Sequence, residues 1–305
     1  DVSVSIKVNK LPELNTPTAS PERICKDSGD DVVLSASVVS GSNIEYEWFE
    51  GGTSIGLGST IKVKPNATTT YSVVARDLTT LAKCVSVEKT VTVEVDNAPE
   101  KPAVTVSNNA YCSNVSIDPL LQVVTPVSGV VYQWYTSDGS FIGEGETLAV
   151  SPTSTTSYYV TAKSTLSSGC ESEQSDAVEV VIHEAPIIRD ETGLAGVSAI
   201  KVCEKGGIFM YVTSDTKDLI YTWSAGSTGM VDSTAVDYYL YMGNPINSGF
   251  VTIVAEDQYG CFSNEVIYEI VVDKLPIVTL SPLNPDVCEG EEVTIDVSTD
   301  KALGD

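Results

Sequence analysis

The sequence predicts an all-β chain built from tandem two-sheet sandwiches. Three observations support this fold class: cysteine and tryptophan recur at one long period, apolar residues alternate with a period of two, and turn residues separate the alternating runs. At 305 residues the chain suits two or three domains, and an apolar fraction of 42% is enough for packed cores.

The long period is shown by the spacing of the cysteines and tryptophans. Four cysteines are separated by 87, 91 and 85 residues, and three others by 86 and 91. The three tryptophans are separated by 86 and 89 residues. Spacings phased in this way indicate an internal repeat. The positions are Cys25, Cys112, Cys203 and Cys288, then Cys84, Cys170 and Cys261, then Trp48, Trp134 and Trp223.

Within each repeat the hydrophobic pattern is that of strands. Val32, Leu34 and Ala36 alternate with more polar residues, as a strand with one buried face requires. Gly51-Gly52 in the first repeat and Asp138-Gly139 in the second predict tight hairpins. No segment has a convincing helical period. About seven short strands per repeat, regularly punctuated, predict a two-sheet sandwich.

Short proline-containing linkers mark the expected domain boundaries. Ala98-Pro99, Ala185-Pro186 and Leu275-Pro276 each follow an alternating apolar run. Proline favours extended backbone, so we expect a semi-rigid, elongated array. The predicted segments are 1–10, the terminal strand of a preceding repeat; 11–98, 99–185 and 186–275, the three complete repeats; and 276–305, the start of a fourth, truncated repeat.

Charge and composition argue against several functions. The chain has 17 basic and 42 acidic residues, a net charge of −25, which repels nucleic acid and anionic lipid. No apolar run is long enough for direct membrane insertion. The single histidine, His183, is next to a linker, so we predict no catalytic residues and no enzyme activity. No cofactor motif or metal-ligand spacing is present, so no cofactor and no metal site are predicted.

The cysteines point to an oxidising compartment. None forms a C-x-x-C pair, and their long, regular separations are typical of disulfides in secreted proteins. We therefore expect an extracellular or cell-surface location. Acidic residues near the linkers leave calcium bridging open as an alternative to plain solvated charge, although no calcium-binding loop motif is present.

Two motifs recur in the repeats, a Tyr-x-Trp strand and a Thr-rich run into Tyr-x-Val-x-Ala. They are Tyr46-Glu47-Trp48 with Thr68 to Ala75, Tyr132-Gln133-Trp134 with Thr155 to Ala162, and Tyr221-Thr222-Trp223 in the third repeat, which lacks the Thr-rich run. With these motifs the repeats resemble the immunoglobulin-like (Ig-like) repeats of large bacterial surface and secreted proteins of the adhesin type. The resemblance implies Ig-like β-sandwiches that serve as spacers or adhesive modules.

Beside this resemblance, the cysteine positions depart from those of antibody domains, where the disulfide crosses the core. Val73 and Val160 stand where such a core cysteine would be. We expect instead bridges that tie loops within each repeat, with Cys288 free. The expected pairs are Cys25–Cys84, Cys112–Cys170 and Cys203–Cys261.

These features predict a non-enzymatic cell-surface protein for adhesion or structure. Its extended rod would bind, or present a binding domain to, an extracellular protein or glycan. Tyr238, Tyr239 and Tyr241 in the third repeat are possible ligand contacts, because tyrosines are broad and amphipathic. The alternative is that one face of this tyrosine strand is core. A further alternative makes the chain an accessory spacer region of a secreted enzyme whose catalytic domain lies outside it.

Overall fold

The computed structural model describes residues 4, 6–196, 198–236 and 240–300, and these are almost entirely β-structure. The chain divides into two compact units. The first holds the chain up to residue 109 together with 117–181, and the second holds 110–116 together with the chain from 182 on. Residues 4 and 6–10, where the sequence predicts a terminal strand, form none.

The first sandwich lies in the first unit and has eight strands. They are β1 (Thr18–Ser20), β2 (Arg23–Cys25), β3 (Val32–Ser35), β4 (Ile44–Glu50), β5 (Thr53–Leu57), β6 (Thr60–Val63), β7 (Thr69–Asp77) and β8 (Lys89–Asp96). The small sheet has the order β1-β3-β6, and the large sheet has the order β2-β8-β7-β4-β5. The short strand β2 runs parallel to β8, whereas its neighbours pair antiparallel.

The second sandwich repeats this order. Its strands are β9 (Val104–Val106), β10 (Ala110–Cys112), β11 (Leu120–Val123), β12 (Val130–Thr136), β13 (Phe141–Glu144), β14 (Thr147–Ala149), β15 (Thr156–Ser164) and β16 (Val178–His183). In the first unit, β14-β11-β9 form one sheet, and β16, β15, β12 and β13 follow one another in the other. Strand β10 and the last two residues of β16 belong to the second unit, where the amide of Ser113 donates to the carbonyl of His183 at 2.8 Å.

The third sandwich lies in the second unit. Its elements are β17 (Ile188–Asp190), β18 (Ile200–Cys203), β19 (Ile208–Ser214), β20 (Ile220–Ser224), a 3₁₀ turn (Gly226–Thr228), β21 (Ser233–Val236), β22 (Leu240–Gly243), β23 (Gly249–Glu256) and β24 (Val266–Asp273). Its sheets are β17-β19-β22 and β18-β24-β23-β20-β21, again with the second strand parallel to the last. Two antiparallel strands follow, β25 (Val278–Ser281) and β26 (Asp296–Thr299).

A tryptophan lies at the centre of each sandwich core. Trp48, Trp134 and Trp223 are completely buried. The indole N–H of Trp48 donates to the carbonyl of Gly58 at 3.0 Å, and that of Trp134 donates to the carbonyl of Gly145 at 2.9 Å. A buried indole N–H without a partner would cost about 1–3 kcal/mol. Each of these bonds therefore stabilises the turn that holds its acceptor, at Gly58 or at Gly145.

Both predicted hairpins form in the expected places. Gly51 and Gly52 connect β4 to β5 with φ of 54° and 81°, the left-handed backbone that a two-residue hairpin requires and that glycine adopts without strain. Gly139 has φ of 88° in the turn between β12 and β13. The third sandwich has the 3₁₀ turn at this place instead of a tight hairpin.

In the third core, one aromatic ring comes from a different strand than in the first two cores. Tyr71 and Tyr158 are buried in β7 and β15, but the corresponding residue of β23 is Val251. Directly opposite Val251 in the sheet is Tyr268 of β24, whose ring is fully buried and stacks near Trp223 with a centroid distance of 6.3 Å. The neighbouring strand therefore supplies the ring that the Thr-rich run supplies in the other repeats.

Candidate functional site: the cysteine-linked junctions

The first cysteine of each complete repeat, here called the leading cysteine, ends the short parallel strand of the large sheet. Cys25 lies opposite Asp96, the last residue of β8, and Cys203 lies opposite Asp273, the last residue of β24. Cys112 is the last residue of β10, and the residue after it bonds to the end of β16. Every leading cysteine is therefore located at the end of its sandwich where the chain leaves for the next repeat.

The second cysteine, here called the trailing cysteine, lies in the loop before the last strand and begins a Cys-x-Ser motif. The trailing cysteines are Cys84, Cys170 and Cys261. The serine two residues later accepts a buried backbone N–H, as Ser172 does from Ala162 at 2.9 Å and Ser263 does from Ala255 at 2.9 Å. Ser86 makes the same bond to Ala75, so all three loops are held alike. The sequence shows this motif, but sequence reasoning missed its role.

The predicted pairing within repeats is wrong, because the two cysteines of one repeat lie at opposite ends of its sandwich. Cys25 is beside the last residue of β8, whereas Cys84 precedes the first residue, Lys89. The eight residues of β8 span about 25 Å at the usual strand rise. A disulfide needs Cα atoms about 4.4–6.8 Å apart. The same geometry separates Cys203 from Cys261 along β24.

The bridges instead join consecutive repeats. Cys25 is bonded to Cys170 and Cys112 to Cys261, each with a Cα–Cα distance of 5.5 Å, across 145 and 149 residues of sequence. Each leading cysteine is thus paired with the trailing cysteine of the following repeat. Cys84, Cys203 and Cys288 are free thiols, of which Cys203 and Cys288 are exposed.

Polar contacts surround the Cys25–Cys170 bridge in the first unit. The guanidinium of Arg23 lies 2.6 Å from one carboxylate oxygen of Asp96. The other carboxylate oxygen accepts the hydroxyl of Ser168, two residues before Cys170, at 2.7 Å. Asp96 therefore connects the last strand of the first repeat to the trailing loop of the second.

The Cys112–Cys261 bridge in the second unit has different neighbours. The side-chain amide of Asn114 donates to the carbonyl of Phe262 at 2.8 Å. The ring of His183 stacks on Tyr259, with centroids 3.9 Å apart and planes 13° from parallel. The only histidine of the sequence thus packs against the trailing loop of the third repeat.

Of the three tyrosines predicted as ligand contacts, only Tyr241 lies within the described residues, and Tyr238 and Tyr239 lie outside them. Tyr241 is a core residue, because it is 4% exposed and its ring stacks on Trp223 with a centroid distance of 5.2 Å. Its hydroxyl donates to the carbonyl of Val231. This placement does not support a ligand contact at Tyr241 and matches the core alternative.

The outer face of the small sheet of the third sandwich carries an apolar surface. Phe209 pairs with Met242, and the two side chains are 65% and 69% exposed. A groove of about 600 Å³ adjoins this pair and is lined in part by Phe209, Tyr211, Leu240 and Lys201. The corresponding pairs of the first sandwich are Val33 with Lys62 and Ser35 with Thr60, so the exposed Phe–Met pair has no counterpart there.

Asp190 organises the start of the third sandwich. Its carboxylate accepts the amides of Leu194 and Ala195 at 2.7 and 3.0 Å, and the hydroxyl of Tyr268 at 2.7 Å. Desolvation raises the pKa of Asp190, but these bonds and those from Thr192 outweigh it and lower the pKa to about 2. Burial beside this carboxylate raises the pKa of Tyr268.

Comparison with known families identifies the second repeat. Residues 99–183 match the family model described as "Ig-like domain CHU_C associated". The second repeat is therefore similar to the domains that this model describes. The first and third sandwiches have the same strand order, so the predicted fold class, tandem Ig-like β-sandwiches, is confirmed.

Solved structures with similar folds include a 1.5-MDa bacterial ice-binding adhesin, which is 11% identical with a TM-score of 0.41 and covers 87% of this chain and 100% of its own. Extracellular domains 3–5 of Drosophila OTK are 11% identical with a TM-score of 0.34, over 87% and 98% of the two chains. Fibronectin(III)-like modules of Clostridium thermocellum CbhA are 13% identical with a TM-score of 0.31, over 56% and 94%. No curated protein matches the sequence.

Two other features are absent from the described residues. Within the described residues, no group of three or more His, Cys, Asp or Glu side chains is placed to hold a metal ion. In the same part of the chain, no helix is long and apolar enough to cross a membrane. Asp96 and Asp190, two of the acidic residues near the predicted linkers, are engaged in the hydrogen bonds described above.

Proposed function

We propose that the chain is a non-enzymatic part of an extracellular or cell-surface protein, in which Ig-like repeats joined in series form an extended rod for adhesion or structural support. The observation that carries this proposal is the pair of disulfides between consecutive repeats. A bridge inside a domain would stabilise that domain alone, whereas a bridge across a junction also restrains the linker.

Chain connectivity supports a role in resisting force. The two bridges overlap in sequence, because Cys112 lies between Cys25 and Cys170, and Cys170 lies between Cys112 and Cys261. A pull on the ends is therefore carried by backbone and bridges together. The segments from Cys25 to Cys112 and from Cys170 to Cys261 cannot be drawn out to their full lengths while both bridges are intact.

Composition and redox chemistry support an extracellular location. Disulfides persist in oxidising compartments and are rare in reducing ones. A net charge of −25 keeps repeated domains soluble and apart. The same charge disfavours nucleic acid and anionic lipid as partners.

The partner we propose is an extracellular protein or glycan that contacts the apolar outer face of the third repeat. Exposed aromatic and thioether side chains such as Phe209 and Met242 supply large contact areas at interfaces. The test is binding of the oxidised chain to panels of glycans and matrix proteins. Saturable binding that falls at least tenfold in Phe209→Ser, but not in Leu120→Ser on the small sheet of the second repeat, supports adhesion. If no binding is found, the adhesion hypothesis is refuted, and the remaining hypotheses are a structural rod and the spacer region of a secreted enzyme.

The rod itself is tested by small-angle X-ray scattering of the oxidised chain, with the Cys170→Ser/Cys261→Ser variant as comparison. We expect the pair-distance distribution of an elongated particle, and a longer tail of distances in the variant because its linkers can bend. A compact particle in the oxidised sample would contradict the proposal.

A further inference from the structure

The backbone around Cys203 is the same as that around the two bridged leading cysteines. The amide that follows each cysteine donates, at 2.8 Å in all three repeats, to the carbonyl at the end of the last strand: Lys26 to Asp96, Ser113 to His183 and Glu204 to Asp273. A turn then closes back onto the carbonyl of each leading cysteine, from Gly206 to Cys203 at 2.7 Å in the third repeat. Cys203 is thus positioned as Cys25 and Cys112 are, yet its thiol is free and exposed.

Cys84 is positioned in the same way as the bridged trailing cysteines. Its carbonyl accepts the amide of Asp77 at 2.9 Å, as the carbonyls of Cys170 and Cys261 accept those of Ser164 and Asp257 at 2.7 and 3.0 Å. Its serine, Ser86, bonds to Ala75 as the other two motif serines bond to their strands. Both free cysteines therefore have bridged counterparts within the same chain, and these counterparts show what each one bonds to.

We propose that Cys203 forms a disulfide with the Cys-x-Ser cysteine of an Ig-like repeat placed directly after the third one, and that Cys84 accepts the leading cysteine of a repeat placed directly before the first. Every junction of such an array would carry a bridge from the leading cysteine of one repeat to the trailing cysteine of the next. This inference rests on the proposed function of a serial array and adds the covalent rule that joins its repeats.

The chemistry of the bridge requires an oxidant. The thiols of Cys203 and the incoming trailing cysteine lose two protons and two electrons as the S–S bond forms. A protein or small-molecule disulfide accepts them and is reduced to two thiols by thiol–disulfide exchange. Exposure of Cys203 leaves its sulfur open to this exchange.

The sequence offers a natural position for a test. Lys10-Leu11-Pro12 before the first repeat and Lys274-Leu275-Pro276 after the third have the same three residue types. A fusion of residues 1–274 to residues 11–305 keeps this linker and places the first repeat, with its Cys84, directly after the third. The fusion is oxidised in a glutathione redox buffer, digested without reduction and mapped by mass spectrometry.

We expect a peptide that links Cys203 of the first copy to Cys84 of the second. In a matched fusion with Cys203→Ser in the first copy, that Cys84 should react with a thiol-alkylating reagent while the other bridges persist. Free Cys203 and Cys84 beside intact Cys25–Cys170 and Cys112–Cys261 bridges would overturn this inference alone. Absence of those two bridges as well would overturn the proposed function.

A Cys203–Cys261 peptide would also overturn the inference, because it would show pairing within a repeat. Circular dichroism of the fusion and of the unmodified chain checks folding. If the fusion does not fold, the unmodified chain with Cys288→Ser supplies the second test. Its oxidised dimers should contain Cys203–Cys84 peptides in excess over Cys203–Cys203, and equal amounts would refute the matched geometry.

Discussion

The overlap of the two bridges predicts an unusual response to stretching. Cys25 and Cys261 are 236 residues apart, and an unfolded segment of that length extends to about 800 Å. With both bridges intact, the shortest covalent route crosses from Cys25 to Cys170, runs back 58 residues to Cys112 and crosses to Cys261, which limits the extension to about 200 Å. The routes that use only one bridge are longer, 87 residues through Cys112 or 91 residues through Cys170, and each gives a limit of about 300 Å.

Removal of a single bridge should therefore lengthen this limit by about half. Cys170→Ser leaves the route through Cys112 and Cys112→Ser leaves the route through Cys170, so each variant should extend to about 300 Å between positions 25 and 261. The double variant should reach about 800 Å. Pairing within repeats predicts something different, because Cys112→Ser and Cys170→Ser would then remove the same bridge and the double variant would extend no further than either single variant.

Single-molecule force spectroscopy measures this directly, with handles at the two ends of the chain. The oxidised parent, the two single variants and the double variant are pulled until all repeats unfold. Cys84→Ser is the matched control, because Cys84 is a free thiol and its loss should leave the limit unchanged. A double variant that extends no further than the single variants would refute the overlapping arrangement.

Three further outcomes concern stability. Cys170→Ser opens a loop of 145 residues and should lower the free energy of unfolding of the first unit by up to about 5 kcal/mol in urea titrations, whereas Cys84→Ser should change it by less than about 1 kcal/mol. Ser172→Ala removes the acceptor of a buried amide and should cost about 1–3 kcal/mol, with a cost below about 0.5 kcal/mol arguing against the motif. Because the folded pKa of Asp190, about 2, lies below its ordinary value of 3.8, its stabilisation is present above pH 4 and is lost as the pH falls to 2. Tyr268→Phe should weaken that acid dependence in fluorescence-monitored titrations, and an unchanged profile would contradict the role of its hydrogen bond.

The sequence predicted the sandwich fold because its signals are local. Alternation in runs such as Val32 to Ala36, the Tyr-x-Trp strands and the Gly51-Gly52 turn all depend on neighbouring residues, and the structure confirms them. The predicted domain boundaries stay a prediction, since the two compact units do not coincide with them.

The disulfide pairing could not be predicted because it depends on which end of a sandwich each cysteine occupies. The leading and trailing cysteines have nearly the same spacing in every repeat. This spacing suits pairing within repeats and pairing between repeats equally well. The deciding fact is that β2 crosses to the large sheet and runs parallel to β8, which places Cys25 at the exit of the repeat. Short strands of this kind carry no sequence signal for their pairing partner.

The burial of Tyr241 in the third repeat could not be predicted for a related reason. A period of two shows that Tyr241 and its neighbours alternate, but it does not show which face is buried. The structure buries Tyr241 against Trp223 and leaves Met242 exposed opposite Phe209. Likewise, the third core takes a buried ring from Tyr268 of β24, because β23 has Val251 where the other repeats have a tyrosine. This exchange can be recognised only when the pairing of the two strands is known.

The most direct measurement is a disulfide map of the oxidised 305-residue chain by digestion without reduction and mass spectrometry. The staggered arrangement predicts peptides that link Cys25 to Cys170 and Cys112 to Cys261, with alkylated Cys84, Cys203 and Cys288. Peptides that link Cys25 to Cys84 and Cys203 to Cys261 would contradict it, because they would show that each disulfide joins two cysteines of the same repeat.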